Sequence, residues 1–203
     1  MRRLRGGQKV YIIDSKVELT QLFRKVATCV TLNLAELLLE DMVKLAKERQ
    51  ELFNDTAEKL TTPCVNHGDY FKLTGEKLPI ICVVVEELIL FVDEVPLNSL
   101  IKLMVAGRSA GVFVVACTQY LKADIFPRKA SQNFHTRVFL GPYDDIQLRL
   151  MFQGLAKVDH EDLKLFLGPV GKAVIDENGK LSTRTMPEVM DSELVSFMKG
   201  EIK

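Results

Sequence analysis

The chain has 203 residues and a mass of 22.9 kDa, which suits one ordinary domain with one core. Apolar residues make up 47%, and 27 basic side chains balance 27 acidic ones; this excludes intrinsic disorder and a globally basic nucleic-acid binder, although a local stripe of Lys and Arg still suffices to track phosphates. The longest apolar run, Leu78 to Val85, stops at Glu86 and Glu87, short of the roughly 20 residues that span a bilayer, and the basic start Met1 to Gly7 leads into no signal-peptide core.

The first element in chain order is Lys9 to Asp14, a short apolar run closing on a polar residue, as buried parallel strands do. A helical stretch from Val17 to Arg24 leads to a β-branched run, Cys29 to Thr31. Asn33 and Glu36 have capping-box spacing and open a helix predicted to reach about Phe53. Leu34, Leu38, Met42, Leu45 and Leu52 supply its apolar positions, while Glu40, Asp41, Lys44, Lys47, Glu48 and Arg49 fill the other faces of a surface helix. Residues 54–77 hold Pro63, Gly68 and Gly75 with no sustained period and read as a long connection. Ile80 to Val85 is the strongest strand. A helix from Pro96 to Arg108, stopped by Gly111, precedes a buried strand, Val112 to Cys117. Thr136 to Leu140 reads as a strand and Asp144 to Phe152 as a helix. Gly171 to Ile175 and Lys180 to Thr185 flank Asn178-Gly179, whose positive φ angles suit a tight hairpin. A helix from about Ser192 to Lys199 ends the chain.

Strands alternating with helices predict an α/β fold with a mostly parallel sheet, whose ligands lie at the carboxyl ends of the strands. The expected division is a domain over residues 8–186 and a tail helix within 187–203. Cys29, Cys64, Cys82 and Cys117 are scattered without a C-x-x-C pair, which fits small hydrophobes in a reducing cytosol better than disulfides or a zinc site. His67, His135 and His160 share no metal-ligand spacing.

Val83-Val84-Val85-Glu86-Glu87 sets two carboxylates directly after a buried strand. In nucleotide hydrolases with this pattern the first acid holds the magnesium shell and the second polarises the attacking water. Glu86 is one methylene longer than the Asp usual there. A second pair, Asp93-Glu94, has the usual order, and for both pairs the plain alternative is a solvated strand-to-helix corner. Thr118 and Gln119 close the next strand with a hydroxyl and an amide, uncharged groups suited to sensing a γ-phosphate. Arg108 stands just before that strand.

Taken in order, Ile13-Asp14-Ser15-Lys16, Val84-Val85-Glu86-Glu87, Gly107-Arg108-Ser109-Ala110-Gly111, Ala116-Cys117-Thr118-Gln119 and Phe134-His135-Thr136-Arg137-Val138 resemble motifs of the FtsK/SpoIIIE family of hexameric DNA-pumping ATPases, including those of conjugative elements and phages. The first looks like that family's I-D-P-K, the second its V-D-E and the fourth its L-A-T-Q. The resemblance covers Lys9 to about Asp176. The 22 positions from Glu86 to Arg108 (108 − 86) are near the family's interval, and the 15 from Asp93 (108 − 93) are too few, which selects the Glu86-Glu87 pair.

The resemblance implies a RecA-like P-loop NTPase sheet, ATP and magnesium as ligands, a homohexameric ring, DNA threaded through it and a cytoplasmic location. It implies Glu87 as the base that activates water, Glu86 as the acid that positions magnesium through a bound water, and Gln119 with Thr118 at the γ-phosphate. Arg108 or Arg137 would reach a neighbouring subunit's nucleotide, against the plain reading of a salt-bridged surface arginine for each. Lys16 matches the family lysine; whether it meets phosphate or Asp14 is open. Lys122, Arg128 and Lys129, beside Pro127, would face DNA in a pore, or simply water.

One family feature is missing from these 203 residues. G-x-x-x-x-G-K-[ST] occurs nowhere; Gly6-Gly7-Gln8-Lys9 and Gly168-Pro169-Val170-Gly171-Lys172-Ala173 both fail its spacing and final hydroxyl. The expectation is therefore an incomplete RecA-like sheet, without the central strand that the family sets between the counterparts of 112–117 and 136–140, ending in a β-hairpin and helix. Two unpaired apolar edges and low stability alone are expected. The chain then reads as part of a DNA translocase, for partition or conjugative transfer, that does not hydrolyse ATP by itself. A non-catalytic subunit docking on a full-length ring and a protein-export ATPase of the same family are the alternatives.

Overall fold

The structure, a computed structural model, describes residues 8–91, 96–121, 133–142, 144–152, 160–167 and 171–187. The chain divides into two compact units, Met1–Gln119 and Tyr120–Ile202.

In the first unit, β1 (Lys9–Ile13), β2 (Thr28–Val30), β3 (Ile81–Val85) and β4 (Val112–Ala116) form a wholly parallel sheet in the order β2-β1-β3-β4. Parallel pairing needs crossovers, and the helices provide them: α1 (Glu18–Phe23), α2 (Ala35–Leu60), α3 (His67–Thr74) and α4 (Pro96–Ala106). β3 is apolar on both faces because it lies between β1 and β4; Ile81, Cys82, Val83 and Val85 are all buried. On one face Val10, Ile12 and Cys82 pack against Leu19 and Phe23 of α1. Residues of the other parity, Ile13, Val83 and Val85, are the deepest in the strands.

Three readings of the sequence need correction here. The capping box at Asn33 does not form: Leu32–Leu34 is a short 3-10 turn, Leu34 is the N-cap and makes no side-chain cap bond. The helix also continues past Phe53 to Leu60, because Arg49, Phe53 and Thr56 extend its buried face at helical spacing. It ends where Thr61 turns left-handed at φ 49°. The supposed long connection after it contains α3. Asn66 caps it by accepting from the amides of Gly68 and Asp69 at 2.9 and 3.0 Å, and Gly75 closes it at φ 75°. With Tyr70 as its one buried side chain, the helix carries too little apolar period to be seen; Tyr70 packs with Phe53 and Cys64.

The second unit is an antiparallel sheet, β5 (Thr136–Leu140), β6 (Lys172–Glu177) and β7 (Lys180–Thr185), in that order. The predicted hairpin is present, with Asn178 at φ 55° and Gly179 at φ 86°. Leu148 and Phe152, on and just after α5 (Asp145–Met151), join Leu163 and Leu167 of α6 (His160–Leu167) over Val174. α6 was not predicted.

The fold is thus mixed α/β, an incomplete RecA-like arrangement. Among the described residues β4 and β5 each end their sheet, exposing Val115 on one and Val138 and Leu140 on the other. Asp93, Glu94 and the expected tail helix lie outside the described residues.

Candidate functional site

Three strands of the first unit deliver polar residues to one edge. Ile13, Val85 and Ala116 share a register row across β1, β3 and β4, so the segments Asp14-Ser15-Lys16, Glu86-Glu87 and Cys117-Thr118-Gln119 leave the sheet at one level. The backbone ladder extends one step beyond the strands, with the Glu86 amide donating to Ile13 O at 3.1 Å and the Cys117 amide to Val85 O at 2.9 Å. Glu87 is buried, and its Oε1 accepts from the main-chain N–H of Gln119 at 3.3 Å. Glu87 and Gln119, paired only by pattern in the sequence, are thus in contact. Thr118 is half-buried at the same exit. Burial, then the charges of Glu87 and Glu86, push the Cys117 thiol above its ordinary pKa.

At the exit of β1, Asp14 is buried and its carboxylate accepts from the Lys16 amide at 3.2 Å and the Thr20 amide at 2.6 Å. Burial by itself would raise its pKa, but the hydrogen bonds from Thr20, Lys16 and Val17 outweigh it and hold the carboxyl below the ordinary value. Glu86 Oε2 takes both the amide of Ser15, at 3.2 Å, and its hydroxyl. The Lys16 ammonium stands 3.8 Å from Glu86 Oε1, a neighbour that the sequence reading did not name.

A magnesium ion on Glu86 does not fit this arrangement. Oε2 holds the amide and hydroxyl of Ser15, and the Lys16 ammonium stands 3.8 Å from Oε1, where it repels a second cation.

Arg108 is elsewhere. It is exposed on the turn Gly107–Gly111 that precedes β4, at the amino edge of the sheet, away from Glu86, Glu87 and Gln119. The turn is tight: a Cβ on Gly107 would lie 2.5 Å from Leu103 O and 2.7 Å from Val112 O, so glycine is required. It is also held from outside. Buried Arg49 donates to Ala110 O at 2.7 Å and to Pro79 O at 2.8 Å. Gln50 donates to Ala106 O, and the His67 amide donates to Ser109 O at 2.9 Å. Sequence reasoning placed Arg49 on the solvated face, since an arginine whose partners are backbone carbonyls leaves no pattern of charges.

Arg137 belongs to the second unit. It lies directly opposite Asp176 in the β5–β6 register, 3.5 Å away and largely covered, and also donates to Met151 O at 3.3 Å. His135 is exposed just before β5. Lys122, Arg128 and Lys129 lie outside the described residues.

No family model matches the chain and no curated protein matches it. Solved structures do. The pCW3 conjugation coupling protein TcpA, in its monomer form with ATPγS, matches 98% of this chain over 58% of its own length, with TM-score 0.76 and 19% identity. EssC (ATPases 2 and 3) from Geobacillus thermodenitrificans matches 96% over 36% of its length, with TM-score 0.70 and 20% identity. The genome packaging NTPase B204 of Sulfolobus turreted icosahedral virus 2, in complex with AMPPCP, matches 93% over 88%, with TM-score 0.55 and 13% identity. The chain therefore spans 58% and 36% of the first two proteins. At these identities the likeness speaks of fold alone, and the fold these structures share with the chain is the one that the sequence motifs imply.

Proposed function

We propose that the chain is part of a ring-forming, ATP-driven DNA translocase motor of the FtsK/SpoIIIE type, acting in the cytoplasm in DNA partition or conjugative transfer and inactive by itself. The observation that carries this reading is the contact between the Glu87 carboxylate and the main-chain N–H of Gln119 at the carboxyl edge of a parallel sheet, where nucleotide chemistry is sited in such sheets. In this reading Glu87 orients the attacking water and takes its proton, while the side chains of Gln119 and Thr118 face the γ-phosphate. Arg108, exposed and at the opposite edge, serves the nucleotide of the next copy in a homohexamer. Arg137, committed to Asp176, has a structural part. Lys122, Arg128 and Lys129 track the DNA backbone. No step is assigned to magnesium on Glu86, since the Lys16 ammonium stands beside its carboxylate.

The phosphate-binding loop comes from polypeptide other than these residues, which is why no turnover is expected of the chain alone. A malachite-green phosphate assay tests this. The isolated chain should release no phosphate above background, and adding the phosphate-loop segment of a motor of this type should bring release that Glu87→Gln abolishes. Steady turnover by the chain alone overturns the reading.

One observation favours a second reading, a non-catalytic subunit that docks on a complete ring: Glu86, the acid expected at the metal, is occupied by Ser15 and Lys16. In that case ATPase does not return when the segment is supplied. A protein-export role, in line with the type VII secretion ATPase EccC from Thermomonospora curvata among the structural matches, is separated by DNA binding of the assembled ring against salt. Phosphate contacts give a steep slope.

A further inference from the structure

Glu86 is where an acid would be sought for a divalent cation, and its surroundings indicate another employment. The Ser15 amide and hydroxyl converge on Oε2, and the Lys16 ammonium faces Oε1. Two features of the sequence make this possible together. A proline at position 15 would provide neither an N–H nor a hydroxyl. An aspartate at position 86 would be one methylene shorter, and its carboxylate would fall back from the β1 exit. Serine at 15 and glutamate at 86, the two places where the chain departs from I-D-P-K and V-D-E, therefore meet in space.

The loop that they fasten is strained. Val17 has φ 64°, a left-handed conformation that a β-branched residue adopts only under constraint. The buried Asp14 carboxylate holds the loop from below through Lys16 and Thr20; Glu86 holds it from the neighbouring strand. A divalent cation at Glu86 would have to compete with the two Ser15 donors on Oε2 and stand beside the Lys16 ammonium, which repels it.

We propose that Glu86 is a positioning residue that latches the Asp14–Val17 loop to the exit of β3, through Ser15 and Lys16, and does not hold a divalent cation in this chain. The latch fixes the direction in which the chain leaves β3 and so keeps the next residue, Glu87, against Gln119. This goes beyond the motor reading and does not require it.

The test uses the 203-residue chain without nucleotide. Mn²⁺ alone is the metal probe, followed by its free-ion EPR signal; amide exchange over residues 15–20 reads the latch. Wild type should show no saturable Mn²⁺ binding up to millimolar metal. Exchange at the amides of Ser15 to Val17 should quicken about tenfold in Glu86→Gln, the scale of one lost hydrogen bond. It should quicken similarly in Glu86→Asp, which keeps the charge and loses the reach. Ser15→Ala, which keeps the amide bond and loses the hydroxyl, should give a smaller acceleration at the same amides, and combining it with Glu86→Gln should add nothing. Saturable Mn²⁺ binding by wild type that Glu86→Gln removes would overturn the proposal. So would unchanged exchange in Glu86→Asp, or in Ser15→Ala should the Glu86 variants not fold. No ATP enters either measurement, so a failure here is distinct from a failure of the ATPase reading.

Discussion

Arg108 and Gln119 stand at opposite ends of one strand. The strand is β4, Val112–Ala116, and the four steps between its first and last residues separate its ends by about 13 Å. In a parallel sheet every carboxyl end faces the same way, so an arginine before β4 cannot join the acid and amide after β3 and β4 within one copy. It can do so between copies placed head to tail, the heterologous contact that closes a ring. In a motor assembled with a phosphate loop, copies carrying Arg108→Ala and copies carrying Glu87→Gln should each be inactive and should regain part of the phosphate release when mixed. Mixed rings contain interfaces with one intact Glu87 and one intact Arg108. Arg108→Ala should also leave the melting of the isolated chain unchanged within about 0.5 kcal/mol, as exposed positions do. Absence of complementation in mixed rings removes Arg108 from the trans role.

The thiol of Cys117 reports on the same acids without any nucleotide. It is exposed at the exit of β4, yet burial first, and the Glu87 and Glu86 charges second, hold its pKa above the ordinary value. The reactive form is the thiolate, so alkylation by iodoacetamide at about pH 8 should be slow for an exposed cysteine. Glu87→Gln removes one of the two charges and should quicken it several-fold, while Glu58→Gln, exposed near the end of α2 in the same unit, should not. Equal rates in wild type and Glu87→Gln would mean that the carboxylate is not beside the thiol.

Much of the sheet was legible because each strand is short, apolar and ended by a polar residue; β1, β3 and β4 are within a residue or two of expectation. The convergence of Glu87 with Gln119 was legible for the same reason, since alternating strands and helices in order force parallel exits to one edge. What escaped notice lacks periodic signal. α3 has a clear cap in Asn66 and stop in Gly75, but Tyr70 is its only buried residue. Arg49 reads as solvated because backbone carbonyls carry no sequence identity. Ser15 and Glu86 are 71 positions apart, and nothing local in either stretch announces their contact.

Arg49 shows what such a hidden residue is worth. Its two guanidinium nitrogens serve the carbonyls of Ala110 and Pro79, at the entrances of β4 and β3, and so join α2 to the turn that presents Arg108. Arg49→Met keeps much of the apolar stem and leaves two covered acceptors without a donor, a loss of about 2–3 kcal/mol. Arg49→Lys should rescue little of it, because one ammonium cannot match a planar fork reaching two carbonyls at once. Urea midpoints of the three proteins check this; full rescue by lysine would show that charge alone matters there.

Asp14 gives the chain a specific acid sensitivity. Its carboxyl is held below the ordinary value by hydrogen bonds from Thr20, Lys16 and Val17 that outweigh the opposing effect of burial. A depressed folded-state pKa means that the unfolded chain binds the proton more readily. The stabilisation is therefore complete above the unfolded value of about 3.9 and is lost as pH falls from there through the lower folded value. Asp14→Asn keeps one acceptor oxygen and turns an N–H group toward the Thr20 amide, which then has no acceptor. It should destabilise near neutrality, and the gap between wild type and variant should narrow as pH falls below about 4. Urea unfolding of both proteins across this range measures the gap. A constant separation at every pH would mean that the Asp14 charge contributes nothing to holding the β1 exit loop.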